Sequence, residues 1–148
     1  MRARTVVGAR VAGRRDGPLL VVSFVGLVTP SALIAGRWHI LEAMTPGVEA
    51  VVVDFRRAAL LVTHVDLAAI ARQPGTELTR DPAPMAWVTP DEITARMWRE
   101  HALDLGLSGL RRWASCDAQE CERWARQQAR LTSVDRQWPP GARTEPSG

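Results

Sequence analysis

The stretch AVVVDFRRAALLVTHVDLAAIA, Ala50 to Ala71, decides the fold of this 148-residue chain. Its opening, Ala50 to Phe55, is apolar except for Asp54, which is typical of a strand buried on both faces of a parallel sheet. Thr63, with Asp66 three residues later, resembles a capping box and predicts the start of a short helix. A buried strand followed directly by a helix is the repeating unit of an α/β sheet.

The same alternation extends over the rest of the chain. Further strand patterns lie at Thr5–Ala12, Leu19–Val28, Met85–Val88 and Leu110–Ala114. Helix starts are expected at Thr29-Pro30, Thr89-Pro90 and Asp117. We therefore predict an α/β fold, with a mixed sheet of about five strands and about four helices packed on it. One domain is expected over residues 1–135, followed by a flexible C-terminal tail at residues 136–148.

The spacing of apolar residues within the helices predicts which side faces the sheet. It places Trp38 on the inner face of the first helix and Ile93 on the inner face of the third. Five of the six tryptophans lie in predicted elements. They are expected in the core or at an interface, with the lining of a lipophilic pocket as the alternative.

The charge of the chain does not indicate a nucleic-acid-binding protein. All 19 basic residues are arginine, a bias that GC-rich coding explains without any function. Five of them precede the first acidic residue, Asp16, and the other 14 are balanced by 16 acids. No aromatic residue is interleaved with the five, unlike a surface on which bases stack. Specific nucleic-acid binding is therefore not expected.

The uncharged run from Gly17 to Gly36 is the one segment that resembles a membrane span. It barely reaches the length required, and Pro30 breaks it into a strand and a helix start. No membrane span is expected, and the predicted location is the cytoplasm.

Catalytic and metal-binding motifs are not recognisable in the sequence. His64 and Asp66 are two residues apart and do not face each other on a helix. Cys116 and Cys121 are five apart, about 140° around a helix, and do not converge on one ligand position. The protein is expected not to be an enzyme, and neither a metal nor a cofactor is expected.

The order of elements and several stretches of sequence resemble the STAS domain of sulfate transporters and anti-sigma-factor antagonists. GPLLVVSFVGLVTPSA is similar to the family's opening strand and helix start. AVVVDFRRAALLVTHVDLAAI is similar to its middle strand, and SGLRRWASCDAQECERWAR resembles its closing strand and helix. The likeness covers roughly residues 5 to 131. It implies a non-enzymatic regulatory protein that acts by binding.

The chain departs from the family at the phosphorylation motif. Where the family carries Asp-Ser-Ser-Gly, this chain has Val62-Thr63-His64-Val65, so the phosphorylated serine falls on His64. Regulatory phosphorylation is not expected, and Thr63 is the residue that would accept it if any did. Apart from the resemblance, the residues themselves indicate that Thr63 is a helix cap.

The sequence thus predicts one candidate binding edge after the central strand, composed of Asp54, Arg56, Arg57, Thr63 and His64. Two arginines beside the free N–H groups of a helix start favour an anion or an acidic surface. The expected partner is a protein or a small anionic or lipophilic ligand, and a homodimer is left open. Two other hypotheses stand beside a STAS-like binding protein. They are a small-molecule or lipid-binding module of the same fold, and a small enzyme that uses Asp54, Thr63 and His64.

Overall fold

One sheet of six strands forms the centre of the fold, and its strands are adjacent in the order in which they occur in the sequence. This computed structural model describes residues 2–72, 83–104 and 111–137. Its strands are β1 (Arg4–Val6), β2 (Ala9–Asp16), β3 (Leu19–Val28), β4 (Ala50–Leu60), β5 (Met85–Val88) and β6 (Arg112–Ser115). Its helices are α1 (Pro30–Ala43), α2 (His64–Arg72), α3 (Glu92–Asp104) and α4 (Ala118–Gln137).

The sheet is mixed, which confirms the predicted α/β class. Strands β1, β2 and β3 pair antiparallel, whereas β3 to β6 pair parallel. The sheet has one strand more than predicted because the expected strand Thr5–Ala12 folds back on itself. Val7 and Gly8 have positive φ angles of 47° and 91°, as a tight hairpin turn requires. Val-Gly is not one of the residue pairs that normally announce such a turn, so the sequence did not reveal it.

The two faces of the sheet are covered unequally. Helices α1, α2 and α3 share one face, because three right-handed crossovers between sequential parallel strands all pass on the same side. Under them lies a core that includes Phe24, Val53, Phe55 and Trp98. Helix α4 follows the last strand and packs on the opposite face, over Leu19, Val21, Ala50, Val52, Ala86 and Val88.

The inner face of α1 differs from the one predicted. Thr29 caps the helix as expected and accepts a hydrogen bond from the Ala32 N–H. The buried residues are Ala32, Gly36 and Ile40, whereas Trp38 is 50% exposed. The prediction for Trp38 was wrong because α1 is apolar around most of its circumference. The small residues allow the helix backbone to approach the sheet closely, and this decides which side faces inward.

The same correction applies to α3, where Ala95 and Trp98 are buried and Ile93 is 83% exposed. Its N-cap is Asp91, which accepts a hydrogen bond from the Thr94 N–H at 2.7 Å. This bond lowers the pKa of Asp91. Thr89, the expected cap, is fully buried, and its hydroxyl donates to the Asp91 carbonyl oxygen.

Two predictions concern the chain ends and the membrane. Helix α4 continues through Gln137, two residues into the predicted tail, and the rest of that tail lies outside the described residues. Within the part of the chain that the structure describes, no helix has the length and apolarity needed to cross a bilayer. The uncharged run after Gly17 forms β3 and the start of α1.

We expect Gly36→Ala to destabilise the protein, although glycine to alanine normally stabilises a helix interior. A Cβ at position 36 would overlap the ring of Phe24, and overpacking of this kind costs about 1–3 kcal/mol. Urea denaturation measures the change. In a double-mutant cycle with Phe24→Leu, the smaller side chain should relieve part of the cost; independent, additive effects would show that the two residues do not conflict.

Candidate functional site

Asp54 and Arg56 form a bidentate ion pair on the α4 side of the sheet. The Arg56 Nη2 lies 2.8 Å from Asp54 Oδ2, and the Arg56 Nε lies 3.1 Å from Oδ1. The hydrogen bond to Asp54 raises the pKa of Arg56, so the guanidinium stays charged. The Asp54 side chain is 18% exposed, so the pair is partly shielded from water.

This pair belongs to a β-bulge in β4. Ser23 lies opposite Asp54, but Val25 lies opposite Arg57, so β4 holds one residue more than β3 between these points. A bulge leaves a backbone N–H without its ladder partner, and here the Arg56 N–H donates to Asp54 Oδ1 at 2.9 Å. Asp54 therefore satisfies the backbone and the guanidinium of the same residue, which is a structural task.

The strand boundaries differ from those predicted around this site. Strand β4 does not end near Phe55 but continues to Leu60, so Asp54 lies inside it and both arginines belong to the strand. The prediction that the arginines lie in a connection after the strand was wrong. Two arginines and two alanines give a weak strand signal, and the pairing of Arg57–Leu60 with Val25–Val28 of β3 overrides it.

Thr63 caps α2 in the way the sequence predicted. The Thr63 hydroxyl accepts a hydrogen bond from the Asp66 N–H at 3.2 Å, and the Thr63 N–H donates to Asp66 Oδ2 at 2.9 Å. This reciprocal pair is a capping box in which Asp replaces the usual Glu. His64 is the first residue of the helix and is exposed.

Among the described residues, hydrogen bonds join Asp54 to Arg56 and Thr63 to Asp66, and none joins these two pairs to each other. Six residues separate Asp54 from the end of β4, which corresponds to about 20 Å of extended strand. Asp54 and Arg56 lie on the α4 side, where the Asp54 charge acts on Cys121. Thr63 and His64 begin a helix that packs on the other face, through Leu67.

Arg57 lies on a different surface, which we call the open sheet face. This surface is the part of the α4 side of the sheet that lies beyond the residues that α4 covers. There Arg10, Val25 and Arg57 lie side by side on β2, β3 and β4. Both arginines are exposed, and among the described residues no carboxylate forms an ion pair with either.

Exposed apolar side chains gather where β3 and β4 end, and the sequence interpretation did not identify them. Val7, Leu27, Leu61 and Val65, which we call the carboxyl-end patch, are between 44% and 63% exposed. The Leu61 N–H donates to the Val28 carbonyl oxygen at 2.9 Å, which brings Leu61 beside the end of β3. Gly26, next to Leu27, approaches Gly8 so closely that a Cβ there would lie 3.2 Å from the Gly8 carbonyl oxygen.

The carboxyl end of β6 and the start of α4 carry a polar cluster that is also internally satisfied. The Ser115 hydroxyl donates to Glu120 at 2.8 Å and accepts from the Asp117 N–H. Burial raises the pKa of the Cys121 thiol to about 12, so this thiol is protonated at neutral pH. Among the described residues no three His, Cys, Asp or Glu side chains converge as metal ligands would.

No protein-family model matches this chain, and no curated protein matches it. A solved structure described as "Crystal Structure Analysis of Mglu" is similar to it at 13% sequence identity, with a TM-score of 0.31. The similarity covers 70% of this chain and only 19% of that one. A TM-score of this size carries no argument about a shared fold or function.

We expect Asp54→Ala to lower the free energy of unfolding by about 1–3 kcal/mol, because it leaves the bulge N–H and the Arg56 guanidinium without their acceptor. Arg57→Ala is the matched control. It removes an exposed, unpaired neighbour and should change stability by less than about 0.5 kcal/mol. Equal effects of the two substitutions in urea denaturation would contradict the role given to Asp54.

Thr63→Ala should cost about 1 kcal/mol, because it removes the hydroxyl that accepts the Asp66 N–H. Thr63→Ser keeps that hydroxyl and should cost much less. Thermal melting of the two variants distinguishes them. If serine is as damaging as alanine, the contribution of Thr63 comes from its methyl group and not from the cap.

Proposed function

We propose that this chain is a non-enzymatic, STAS-like regulatory protein that acts through contact with another protein. Its contact surface combines the carboxyl-end patch with the neighbouring open sheet face. The observation that carries the proposal is the exposure of large apolar side chains where β3 and β4 end, with Leu27 two residues beyond Val25, which lies opposite the exposed Arg57.

The apolar residues supply the contact area. Exposed apolar side chains that occur singly are ordinary, but a group rimmed by polar residues is typical of an interaction site. Leu27 lies at the end of β3 and Leu61 directly follows β4, the strand that pairs with β3, so one partner surface can cover both. Their burial against a partner would remove apolar area from water, which favours association.

The charges indicate the kind of partner. Arg10 and Arg57 are two strands apart, roughly 10 Å, on either side of the apolar Val25. Unpaired arginines at the rim of an apolar contact complement carboxylates and steer the encounter with an acidic surface. The partner is therefore expected to be an acidic protein.

The polar residues that suggested an enzyme have internal tasks. Asp54 satisfies the bulge and Arg56, and Thr63 caps α2 with Asp66. Recruitment of these groups as base and nucleophile would require them to leave those bonds and to meet from opposite faces of the sheet. This favours binding over catalysis.

The test is native mass spectrometry of the tagged protein purified from its own host. We expect a complex with a second protein for the wild type, and its loss in the double variant Leu27→Asp and Leu61→Asp. Leu131→Asp is the matched control, because Leu131 is 52% exposed on α4, which covers the other end of this face, and should keep the complex. All three substitutions lie at exposed positions, so unfolding temperatures should stay close to that of the wild type.

Two results would contradict the proposal. A complex that survives in the double variant would place the contact elsewhere on the protein. A retained small molecule or lipid in place of a protein partner would support the small-molecule or lipid-binding hypothesis.

A further inference from the structure

Strand β4 extends well beyond its neighbour on one side. The pairing of β5 with β4 ends where Asp54 lies opposite Val88. On the other side, β3 pairs with β4 to its last residue, Leu60. The segment from Phe55 to Leu60 thus has a partner strand on one side, and among the described residues no strand pairs with its other side.

The direction of the backbone groups in this segment follows from two hydrogen bonds at its ends. The Val51 N–H donates to the carbonyl oxygen of Pro84, the residue before β5, and so points to the β5 side. The Leu61 N–H donates to the carbonyl oxygen of Val28 and so points towards β3. Backbone groups alternate in direction along a strand, and the bulge shifts the alternation by one residue. The N–H and C=O groups of Ala58 and Leu60 therefore point away from β3, to the side without a strand.

The bulge marks where this free edge begins. The Arg56 N–H is taken by Asp54, so the first backbone groups available to another chain are those of Ala58. A row of unpaired N–H and C=O groups at a sheet edge is a template for an added strand. Proteins that recognise extended peptides use such edges, with the backbone bonds giving affinity and alternate side chains giving specificity.

The side chains beside this edge indicate which peptide sequence would fit it. Arg57 is exposed on the α4 side, whereas Ala58 and Leu60 pack on the other side with the core under α1–α3. A strand laid along the edge would place alternate residues beside the arginine and beside the apolar pair. Opposite charges and apolar pairs on neighbouring strands both stabilise a sheet.

We propose that the free edge of β4 at Ala58 and Leu60 binds an extended, acidic segment of a partner protein, which adds to the sheet as a strand. The segment alternates acidic with apolar residues, and its acidic residues face Arg57. This inference rests on the proposed function as a protein-binding module and names the part of the partner that is bound.

The test uses a phage-displayed library of random decapeptides selected against the full-length protein. We expect the enriched sequences to alternate Asp or Glu with Val, Ile or Leu. Bound to the protein, a synthetic peptide of the enriched sequence should slow amide hydrogen exchange at Ala58 and Leu60. Arg57→Glu should weaken this peptide at least tenfold and favour a version in which Lys replaces its acidic residues.

Ala58→Pro is the decisive variant. It removes the N–H that points to the free side and leaves the bonds to β3 in place, and proline is tolerated at sheet edges. We expect it to bind the peptide at least tenfold more weakly while melting close to the wild type. If the variant does not fold, the same peptide with alternate backbone N–H groups methylated tests the contact from the other side and should lose binding.

Three results would overturn the inference. They are a library with no enrichment, an enriched peptide that binds Ala58→Pro or the methylated form equally well, and a homodimer that Ala58→Pro dissociates. The last would assign the edge to a second copy of the chain. Loss of the host complex in the variant with Leu27 and Leu61 changed to Asp is measured separately, so the proposed function can stand when this inference fails.

Discussion

The parallel pairing of β3 with β4 determines where everything else in the protein lies. These are the two longest strands, of 10 and 11 residues, whereas β5 and β6 have four each. Their first halves are buried on both faces, between α1–α3 on one side and α4 on the other. Their second halves run past the ends of β5 and β6. One interaction thus gives the protein both its core and its least covered region.

The bulge at Asp54 separates these two regions. Before the bulge, successive residues of β4 face the two cores in turn. After the bulge, this alternation is shifted by one position. Had the ladder continued without the shift, a residue such as Arg57 would turn towards the core under α1–α3, where a charged side chain would be costly. The extra residue allows Ala58 and Leu60 to face that core instead. The carboxylate that accepts the bulge N–H is therefore part of the reason that β4 can extend so far.

The sequence predicted the fold class and the caps Thr29 and Thr63, but not the length of β4 or the inner faces of α1 and α3, for different physical reasons. Continuous apolar runs such as Val51–Val53 identify buried strands, and the caps Thr29 and Thr63 act through neighbours in sequence, so a local pattern is enough. The length of β4 depends on a distant strand, which the local pattern RRAAL does not contain. Which face of α1 points inward depends on how closely the helix approaches the sheet. The absence of a side chain at Gly36 allows this close approach, because a Cβ there would overlap the Phe24 ring.

The sequence did not predict the exposed residues at the carboxyl end of the sheet, for a related reason. Leu27, Leu61 and Val65 have the composition of core residues, and their sequence neighbours Val28 and Val62 are indeed buried. Leu27 and Leu61 are exposed because they lie beyond the strand residues that α4 packs against, which belong to the first halves of β3 and β4. A sequence pattern reports whether a residue type suits a buried site but not whether a helix extends far enough to cover it.

The same geometry explains why several polar residues of this chain have structural tasks. Asp54, Thr63 and Ser115 were placed by the fold at points where backbone N–H groups would otherwise lack acceptors, namely a bulge and two helix starts. Buried or partly buried N–H groups must be satisfied, so a polar side chain at such a point is already engaged. Among the described residues, the β3–β4 pairing leaves three kinds of group without an internal partner: backbone at one edge, a few apolar side chains and two arginines. Groups of these kinds recognise another chain by shape, backbone pairing and charge in many proteins, which is the basis of the binding function proposed above.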